Sequence, residues 1–357
     1  MGIRGGCLRA MAPVASSVQP FLQACRREPT DFTPIWLMRQ AGRYLPDYRR
    51  IRERLSFLDL CRDSDTAAEV TVSTVRRLGV DAAIIFADIL LPLVPMGLGL
   101  RFEKGDGPHL DRPLRGIDDI DRLPIVNVAE SLSFVAQSIK LARAELLNEV
   151  PVIGFAGAPF TLASYAVEGG SSRNFVLAKT MMYREPNLWH RLMTYLADLT
   201  ADYLNLQIDA GADAVQLFDS WVGCLCPEDY RDFALPYTKR VVAALHSRVP
   251  VIYFGTMTNG LLELMQQTGA DVIGIDWRID LETAFDRLHG SVAIQGNLDP
   301  VKLFADASEI RTSVRNILAR VSGRPGHIFN LGHGVLPGTP VENVLTLIDA
   351  VHEYSAK

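Results

Sequence analysis

Two arginines in the first part of the chain are placed to hold an anion. Arg39 and Arg43 follow the apolar run Pro34–Met38, and the short sequence Gln40-Ala41-Gly42 separates them. The planar guanidinium group of arginine binds a carboxylate or a phosphate through two parallel hydrogen bonds. The pair therefore predicts an anionic ligand at the end of this apolar run.

A carboxylate follows the next apolar run. Asp88 ends the sequence IIFAD. A carboxylate at the end of a buried strand is desolvated unless it pairs with a cation or accepts hydrogen bonds. Two interpretations stay open from spacing alone. Asp88 could be a structural partner of one of the arginines, or it could accept hydrogen bonds from N–H groups of a bound ligand.

Three other patterns carry weaker indications. Gly332-His333-Gly334 is too short to match a phosphate-binding motif and carries an imidazole. Glu168–Ser172 is rich in glycine and serine and predicts a mobile lid. Cys224 and Cys226 are separated by a single residue. The cysteines of zinc sites are usually separated by two to four residues, and such sites need further ligands, so we predict no metal site.

The elements that would position these residues alternate along the chain. Short apolar runs are separated by long amphipathic segments, and continuous apolar runs are typical of strands covered on both faces of a sheet. The runs are Pro34–Met38, Asp81–Phe86, Val152–Phe155, Ala212–Phe218, Val251–Phe254, Asp271–Ile275, Val292–Gln295 and Ile328–Leu331.

Eight such units without a composition shift predict one α/β domain, a single (β/α)₈ TIM-type barrel over residues 18–357. Residues 1–17 are expected to form a flexible N-terminal tail. An open, doubly wound sheet with a second small domain is the alternative fold.

The joins between helices and strands support regular repetition. Gly79-Val80-Asp81-Ala82, Gly211-Ala212-Asp213-Ala214 and Gly269-Ala270-Asp271-Val272 each predict a helix that ends at glycine and a strand that follows. In a barrel of parallel strands, the active site lies at the C-terminal ends of the strands. Polar residues follow several runs there: Arg39, Arg43, Asp88, Thr161, Tyr165, Asp219, Ser220, Asn297, Asp299, Asn330 and His333.

Composition excludes several classes of function. The chain has 36 Lys plus Arg against 41 Asp plus Glu, a net charge of −5, and nucleic-acid binding needs a basic face instead. Its five cysteines, an odd number in a long chain, favour a reducing, cytoplasmic location over a disulfide framework. The apolar stretch 82–100 contains Asp88, Pro92 and Pro95, so we expect a buried strand and loop there and no membrane span.

Several motifs together resemble those of the uroporphyrinogen decarboxylase family. PIWLMRQAGRYLP at 34–46 is similar to the N-terminal signature of that family, and GFAGAPFTL at 154–162 is similar to its second signature. The other motifs fall in the same order as in the family: IIFAD at 84–88, VQLFDSW at 215–221, GIDW at 274–277, QGNLDP at 295–300 and NLGHG at 330–334.

The resemblance implies a single barrel domain that forms a homodimer and uses no metal or organic cofactor. It implies removal of carboxyl groups from the four acetate side chains of uroporphyrinogen III, a polyanionic tetrapyrrole, to give coproporphyrinogen III and CO₂ in porphyrin and heme biosynthesis. Matched motif by motif, the catalytic residues would be Asp88, Arg39 and His333. The same residues and seven others would bind substrate: Gln40, Ala41, Arg43, Phe155, Tyr165, Phe218 and Ser220.

The proposed chemistry leaves the proton donor open. Asp88 would stabilise the positive charge that develops on a pyrrole nitrogen, and the arginines would bind the acidic side chains. An arginine normally keeps its proton, whereas His333 has the more convenient pKa, but we favour Arg39 because the substrate is polyanionic. A zinc-dependent methyltransferase of the corrinoid or methionine-synthase type and a non-catalytic porphyrin carrier are the alternative functions.

Overall fold

The structure is a computed structural model that describes residues 19–103, 107–246 and 249–357. The N-terminal tail predicted over residues 1–17 lies outside them. In these ranges the strands are β1 Ala83–Ile84, β2 Leu100–Glu103, β3 Gly107–Leu110, β4 Val152–Gly157, β5 Ala214–Asp219, β6 Val251–Gly255, β7 Val272–Gly274, β8 Ala293–Leu298 and β9 His327–Leu331.

Sixteen α-helices separate and cover these strands in the described part of the chain. They are α1 Pro20–Cys25, α2 Pro46–Arg52, α3 Phe57–Arg62, α4 Ser64–Leu78, α5 Ile117–Asp121, α6 Val128–Ser131, α7 Ser133–Leu146, α8 Pro159–Glu168, α9 Val176–Arg184, α10 Pro186–Asp209, α11 Pro227–Phe233, α12 Leu235–Ala243, α13 Leu262–Gln266, α14 Leu281–Arg287, α15 Ala307–Arg320 and α16 Val341–Ser355. No described helix is long and apolar enough to cross a bilayer.

Seven strands form one parallel sheet in the order β1-β4-β5-β6-β7-β8-β9. Each strand pairs with the next in parallel, for example Ile153 of β4 with Ala214 of β5. Successive parallel neighbours with helices between them are the signature of a curled (β/α) sheet of the barrel type. The predicted barrel architecture is therefore confirmed, whereas the open doubly wound sheet is not observed.

The prediction of a regular strand at Pro34–Met38 is wrong. In the structure this segment forms only a single parallel bridge, between Ile35 and Phe329 of β9. Side-chain amides replace the expected backbone partners at its end. The N–H of Leu37 donates to Oε1 of Gln40 at 3.1 Å, and the N–H of Met38 donates to Oδ1 of Asn330 at 3.1 Å. The segment nevertheless occupies the eighth position, between β9 and β1.

The repeated Gly-X-Asp joins explain how the strands are held in register. Gly79, Gly211 and Gly269 have positive φ of 72°, 108° and 87°, as a helix end of this kind requires. In each join the aspartate two residues after the glycine pairs with one residue of the neighbouring strand position. The aspartate N–H donates to the carbonyl of that residue, and the aspartate Oδ2 accepts the N–H of the same residue, with N···O distances of 2.7–2.9 Å. The pairs are Asp81 with Ile35, Asp213 with Val152 and Asp271 with Val251. Ile35 thus takes the place of a first barrel strand.

The apolar stretch 82–100 runs from β1 through a loop and a short 3₁₀ turn at Leu91–Leu93 to the start of β2. Its side chains are largely buried; Leu93, for example, is fully buried. The polar segment after it forms the antiparallel hairpin β2–β3 and helix α5 on the outside of the barrel.

Candidate active site

The two candidate arginines lie in the turn that follows the Ile35 bridge. Arg39 has a positive φ of 60°, which few non-glycine residues adopt. The turn is closed by the N–H of Gln40, which donates to the carbonyl of Leu37 at 2.9 Å. Among the described residues, neither Arg39 nor Arg43 has a side-chain hydrogen bond or an ion pair. Both exposed guanidinium groups are therefore available to a ligand.

Gln40 and Ala41 sit differently from the arginines on either side. The Gln40 side chain is 1% exposed, accepts from Leu37 through Oε1 and donates from Nε2 to the carbonyl of Ala82 at 3.2 Å. Its amide is therefore used inside the barrel, where it shapes the turn that carries Arg39. Ala41 is only partly buried, so its backbone and methyl group can reach a ligand.

Asp88 lies in the loop after β1, and its side chain is partly buried. Its Oδ1 accepts the N–H of Leu90 at 2.8 Å, and no ion pair with a described cation is formed. Burial raises the pKa of Asp88 to about 6, while the Leu90 hydrogen bond and the charge of Arg39 act in the opposite direction. Asp88 and Arg39 are thus close enough to interact electrostatically, yet the carboxylate is not consumed by a structural ion pair.

An aromatic wall adjoins this pair. Burial raises the pKa of Tyr165 to about 12, with the Asp88 charge adding to the effect and the Arg39 charge opposing it, so the hydroxyl group lies within electrostatic reach of both residues. The Tyr165 ring lies 5.7 Å from that of Trp221, centroid to centroid, and the Phe175 ring lies 5.4 Å from that of Trp221. Tyr165 presents a neutral hydroxyl, a hydrogen-bond donor suited to a carboxylate.

Two phenylalanines come from the neighbouring strands β4 and β5. The rings of Phe155 and Phe218 lie 5.5 Å apart in an edge-to-face arrangement, and Phe218 contacts Phe254 in the same way at 6.0 Å. Phe155 is 7% exposed and Phe218 is partly buried. They form an apolar surface at the strand ends, of the kind that binds a flat organic ring.

Ser220 begins the loop after β5, and a buried network beneath it holds the loop in place. Asp219 is fully buried and accepts hydrogen bonds from Thr161 Oγ1 and Tyr253 OH, each at 2.7 Å. The carbonyl of Ser220 accepts from Thr256 Oγ1 at 2.7 Å, and the Ser220 hydroxyl has no hydrogen-bond partner among the described residues. Asp219 itself is structural, and burial raises its pKa to about 6.

His333 lies in the turn after β9, within electrostatic reach of Arg39. Burial lowers the pKa of His333, and the charge of Arg39 lowers it further. The imidazole is therefore neutral at neutral pH. A Cβ built on the next residue, Gly334, would overlap with Cδ of Arg39, so the arginine side chain runs directly across this turn. The structure thus gathers Arg39, Asp88, Tyr165 and His333 at one end of the sheet.

The segment Glu168–Ser172, predicted as a mobile lid, is anchored. The N–H of Leu110 in β3 donates to the carbonyl of Gly169 at 2.9 Å, and Gly170 forms an antiparallel bridge with His109. Oε1 of Glu168 accepts the N–H groups of Leu177 and Ala178 at the start of α9. In this structure the segment therefore contacts both the β2–β3 hairpin and α9, and its role as a mobile lid stays a prediction.

Sequence reasoning missed the loop that follows β7. Asp276 is 3% exposed and binds Arg278, whose guanidinium carbon lies 4.3 Å from the centroid of the Trp277 ring. The available signal was the GIDW motif together with the polar residues after the sixth apolar run. Asn297, singled out by its position after the seventh run, supports this loop by donating to the carbonyls of Asp276 and Ile279.

In the described ranges no three His, Cys, Asp or Glu side chains are grouped so that they could hold a metal ion. Cys224 is partly buried and Cys226 is exposed at the start of α11, where its Sγ accepts the N–H of Asp229. The described cysteines are all free thiols.

Solved structures resemble this fold at low sequence identity. A methyltransferase from Methanosarcina mazei has a TM-score of 0.80 at 17% identity, covering 93% of this chain and 97% of that chain. A B12-independent methionine synthase from Shewanella sp. has a TM-score of 0.57 at 10% identity, covering 82% of this chain and 86% of that chain. At such identities the likeness shows the fold alone.

Sequence relatives are much closer. A protein of Carboxydothermus hydrogenoformans named uroporphyrinogen decarboxylase is 51% identical over 337 residues, 94% of this chain and 96% of the relative. One of the same name from Chloroflexus aurantiacus is 53% identical over 339 residues, 94% of this chain and 95% of the relative. The family model described as "Uroporphyrinogen decarboxylase (URO-D)" matches residues 16–354. The chain therefore belongs to the uroporphyrinogen decarboxylase family.

Proposed function

We propose that this protein is a decarboxylase that removes the carboxyl groups of the four acetate side chains of uroporphyrinogen III and gives coproporphyrinogen III and CO₂. Family membership over 16–354 and about half-identical relatives of that name support the reaction. The structural observation that carries it is an unpaired, desolvated Asp88 carboxylate within electrostatic reach of the unpaired Arg39.

Asp88 is proposed to bind the centre of the tetrapyrrole. Its carboxylate accepts pyrrole N–H groups, and it stabilises the positive charge that develops on a pyrrole nitrogen once the ring carbon is protonated. A fixed charge in a desolvated site is far more effective at this than one in water, and it needs no reorganisation during the reaction. The C–C bond to the carboxylate then breaks, CO₂ leaves, and the bonding electrons neutralise the ring.

The arginines are proposed to hold the acidic side chains. Arg39 and Arg43 offer exposed, uncommitted guanidinium forks, and the neutral hydroxyls of Tyr165 and Ser220 donate further hydrogen bonds to carboxylates. Phe155 and Phe218 cover the ring face. Gln40 supports this arrangement through its amide inside the turn, and Ala41 contacts the ligand beside it.

Once CO₂ has left, the side-chain carbon is the exocyclic methylene of a neutral, enamine-like ring. It must receive a proton while the ring carbon gives up the proton it took, so that one proton replaces each CO₂. His333 has a lowered pKa and is neutral at neutral pH, which makes it a weak acid toward carbon. This supports Arg39 as the group that stabilises and protonates that carbon, and His333 as a hydrogen-bonding partner of the substrate. No metal or organic cofactor is part of the proposal.

The assembly and setting of the enzyme are proposed as a single barrel domain over 18–357, a homodimer and a cytoplasmic location. Exposed apolar side chains at the rim support the dimer: Val176, Leu177 and Tyr183 of α9 and Met257, between 43% and 60% exposed. Alpha-helix α9 follows Phe175, which contacts the site through Trp221. Free described cysteines support a reducing compartment.

The reaction is tested by anaerobic incubation with reduced uroporphyrinogen III, with the products separated by their number of carboxyl groups. The proposal predicts stepwise loss of carboxyl groups, ending at coproporphyrinogen, with an equal number of CO₂ molecules released. Tight binding of substrate without CO₂ release would favour a carrier. Methyl transfer that depends on added zinc would favour the methyltransferase alternative, which here rests on fold likeness alone.

A further inference from the structure

A third guanidinium group lies at the mouth of the barrel and has no role in the chemistry described above. Arg278 follows β7, and its Nη1 donates to Oδ2 of Asp276 at 2.6 Å. Asp276 is almost fully buried, and it also accepts the N–H of Arg278 at 2.9 Å and that of Met257 at 2.7 Å. The carboxylate therefore fixes one edge of the guanidinium group.

The face of the same guanidinium group is held by an aromatic ring. Its central carbon lies 4.3 Å from the centroid of the Trp277 ring, within the range of a cation–π interaction. The Arg278 side chain is still 45% exposed, so N–H donors on its other edge face solvent. A guanidinium group fixed at one edge and one face loses little further entropy when the free edge binds an anion.

The position of Arg278 connects it with the site. Gly332 packs so tightly against Trp277 that a Cβ atom at position 332 would lie 2.7 Å from the backbone nitrogen of Trp277. Gly334 packs against the side chain of Arg39 in the same turn. The turn that carries His333 therefore lies between the two arginines. The lowered pKa of His333 agrees with this placement, because after burial and Arg39 the charge of Arg278 also contributes to it.

We propose that Arg278 is a specificity-determining residue whose free guanidinium edge binds a substrate carboxylate that does not react in that turnover. This inference rests on the proposed decarboxylase function. A substrate with several acidic side chains presents carboxylates on more than one side of its ring, and Arg39 lies on the other side of the His333 turn from Arg278. The ion pair with Asp276 uses only one edge of the Arg278 guanidinium group, and the side chain is 45% exposed, so the remaining donors are available to a carboxylate.

The test compares Arg278→Met and Arg278→Lys with matched substitutions of Arg311. Arg311 is a suitable control because it also pairs with a carboxylate, Glu353 at 2.6 Å, and lies near an aromatic ring, Tyr354 at 5.9 Å, but on the outer helices α15 and α16. The steady-state KM and kcat for uroporphyrinogen are measured anaerobically, and urea midpoints report folding.

We expect Arg278→Met to raise KM about tenfold with kcat changed by no more than about twofold, since a hydrogen bond to a charged group that binds substrate and transition state alike affects KM. Arg278→Lys keeps the charge and the contact with Asp276 but loses the fork, and should give a smaller rise. The Arg311 variants should match the unsubstituted protein in both parameters.

Arg278 variants that match the Arg311 variants would overturn the inference, and so would a fall in kcat with unchanged KM. If Arg278→Met does not fold, Arg278→Lys alone decides, since an unchanged KM in a folded protein contradicts the proposal. An unsubstituted protein that releases no CO₂ would instead overturn the proposed function itself, so the two failures are distinguishable.

Discussion

The side chain of Arg39 lies across Gly334 so closely that position 334 has no space for a Cβ atom. The glycine in the turn after β9 thereby sets the path of a side chain from the opposite end of the sequence. Because Arg39 also has a positive φ of 60°, both its backbone and its side chain are held in an unusual arrangement. Arg39 and His333 are neighbours as a result.

Gly334→Ala should therefore impair catalysis without unfolding the protein. The new methyl group must displace Arg39 from the cleft, since Cβ, Cγ and Cδ of that side chain all lie in its way. We expect kcat/KM to fall at least about a hundredfold, in line with the effect of misplacing a catalytic group by about 1 Å. Gly338→Ala is the control, because its Cβ would meet Phe304 at an ordinary 3.5 Å. Equal activity of the two variants would contradict the placement of Arg39.

Asp88→Asn should stabilise the protein at neutral pH. Burial raises the pKa of Asp88 from 3.8 to about 6, so above pH 6 the folded state carries a carboxylate that is more costly than in the unfolded chain. Asparagine removes that cost and keeps an oxygen for the N–H of Leu90. We expect a gain of up to about 3 kcal/mol in the free energy of unfolding at about pH 7.5.

The same gain should vanish at low pH. Below the unfolded value of 3.8 the carboxyl group is protonated in both states, and stability falls as the pH rises from there through the folded pKa of about 6. Urea unfolding of both proteins at several pH values measures the difference. A constant difference across this range would show that Asp88 is not desolvated.

The rate should depend on ionisation of Asp88 in the free enzyme. Because the charged form stabilises the reacting ring, kcat/KM should fall about tenfold per unit below a midpoint near pH 6. Asp219 has a similarly raised pKa of about 6, so Asp219→Asn is the control. The midpoint should stay in that variant, and its disappearance would assign the pH dependence to Asp219 instead.

Much of this site was predictable because parallel strands bring their C-terminal ends together. The polar residues after each apolar run, including Asp88 and His333, could therefore be placed at one mouth without knowledge of their contacts. The regular strand predicted at Pro34–Met38 was wrong because side-chain amides of Gln40 and Asn330 take the hydrogen bonds of a backbone ladder. Apolar periodicity contains no signal for such a replacement.

The orientation of individual side chains was not predictable. Gln40 stands between two exposed arginines in the sequence, yet its amide points into the barrel, where it accepts the N–H of Leu37 and donates to the carbonyl of Ala82. Arg278 was missed because its importance depends on a buried carboxylate two residues earlier and on the ring of Trp277. These contacts depend on the conformation of the loop after β7, which the apolar pattern of the sequence does not specify.

The turnover of Asp88→Asn against reduced uroporphyrinogen tests the central claim most directly. Asparagine preserves the size of the side chain and the contact with Leu90 but removes the charge. We predict a folded protein with CO₂ release reduced at least about a thousandfold, as for loss of an electrostatic stabiliser in a desolvated site. CO₂ release within about tenfold of the unsubstituted protein would contradict the account.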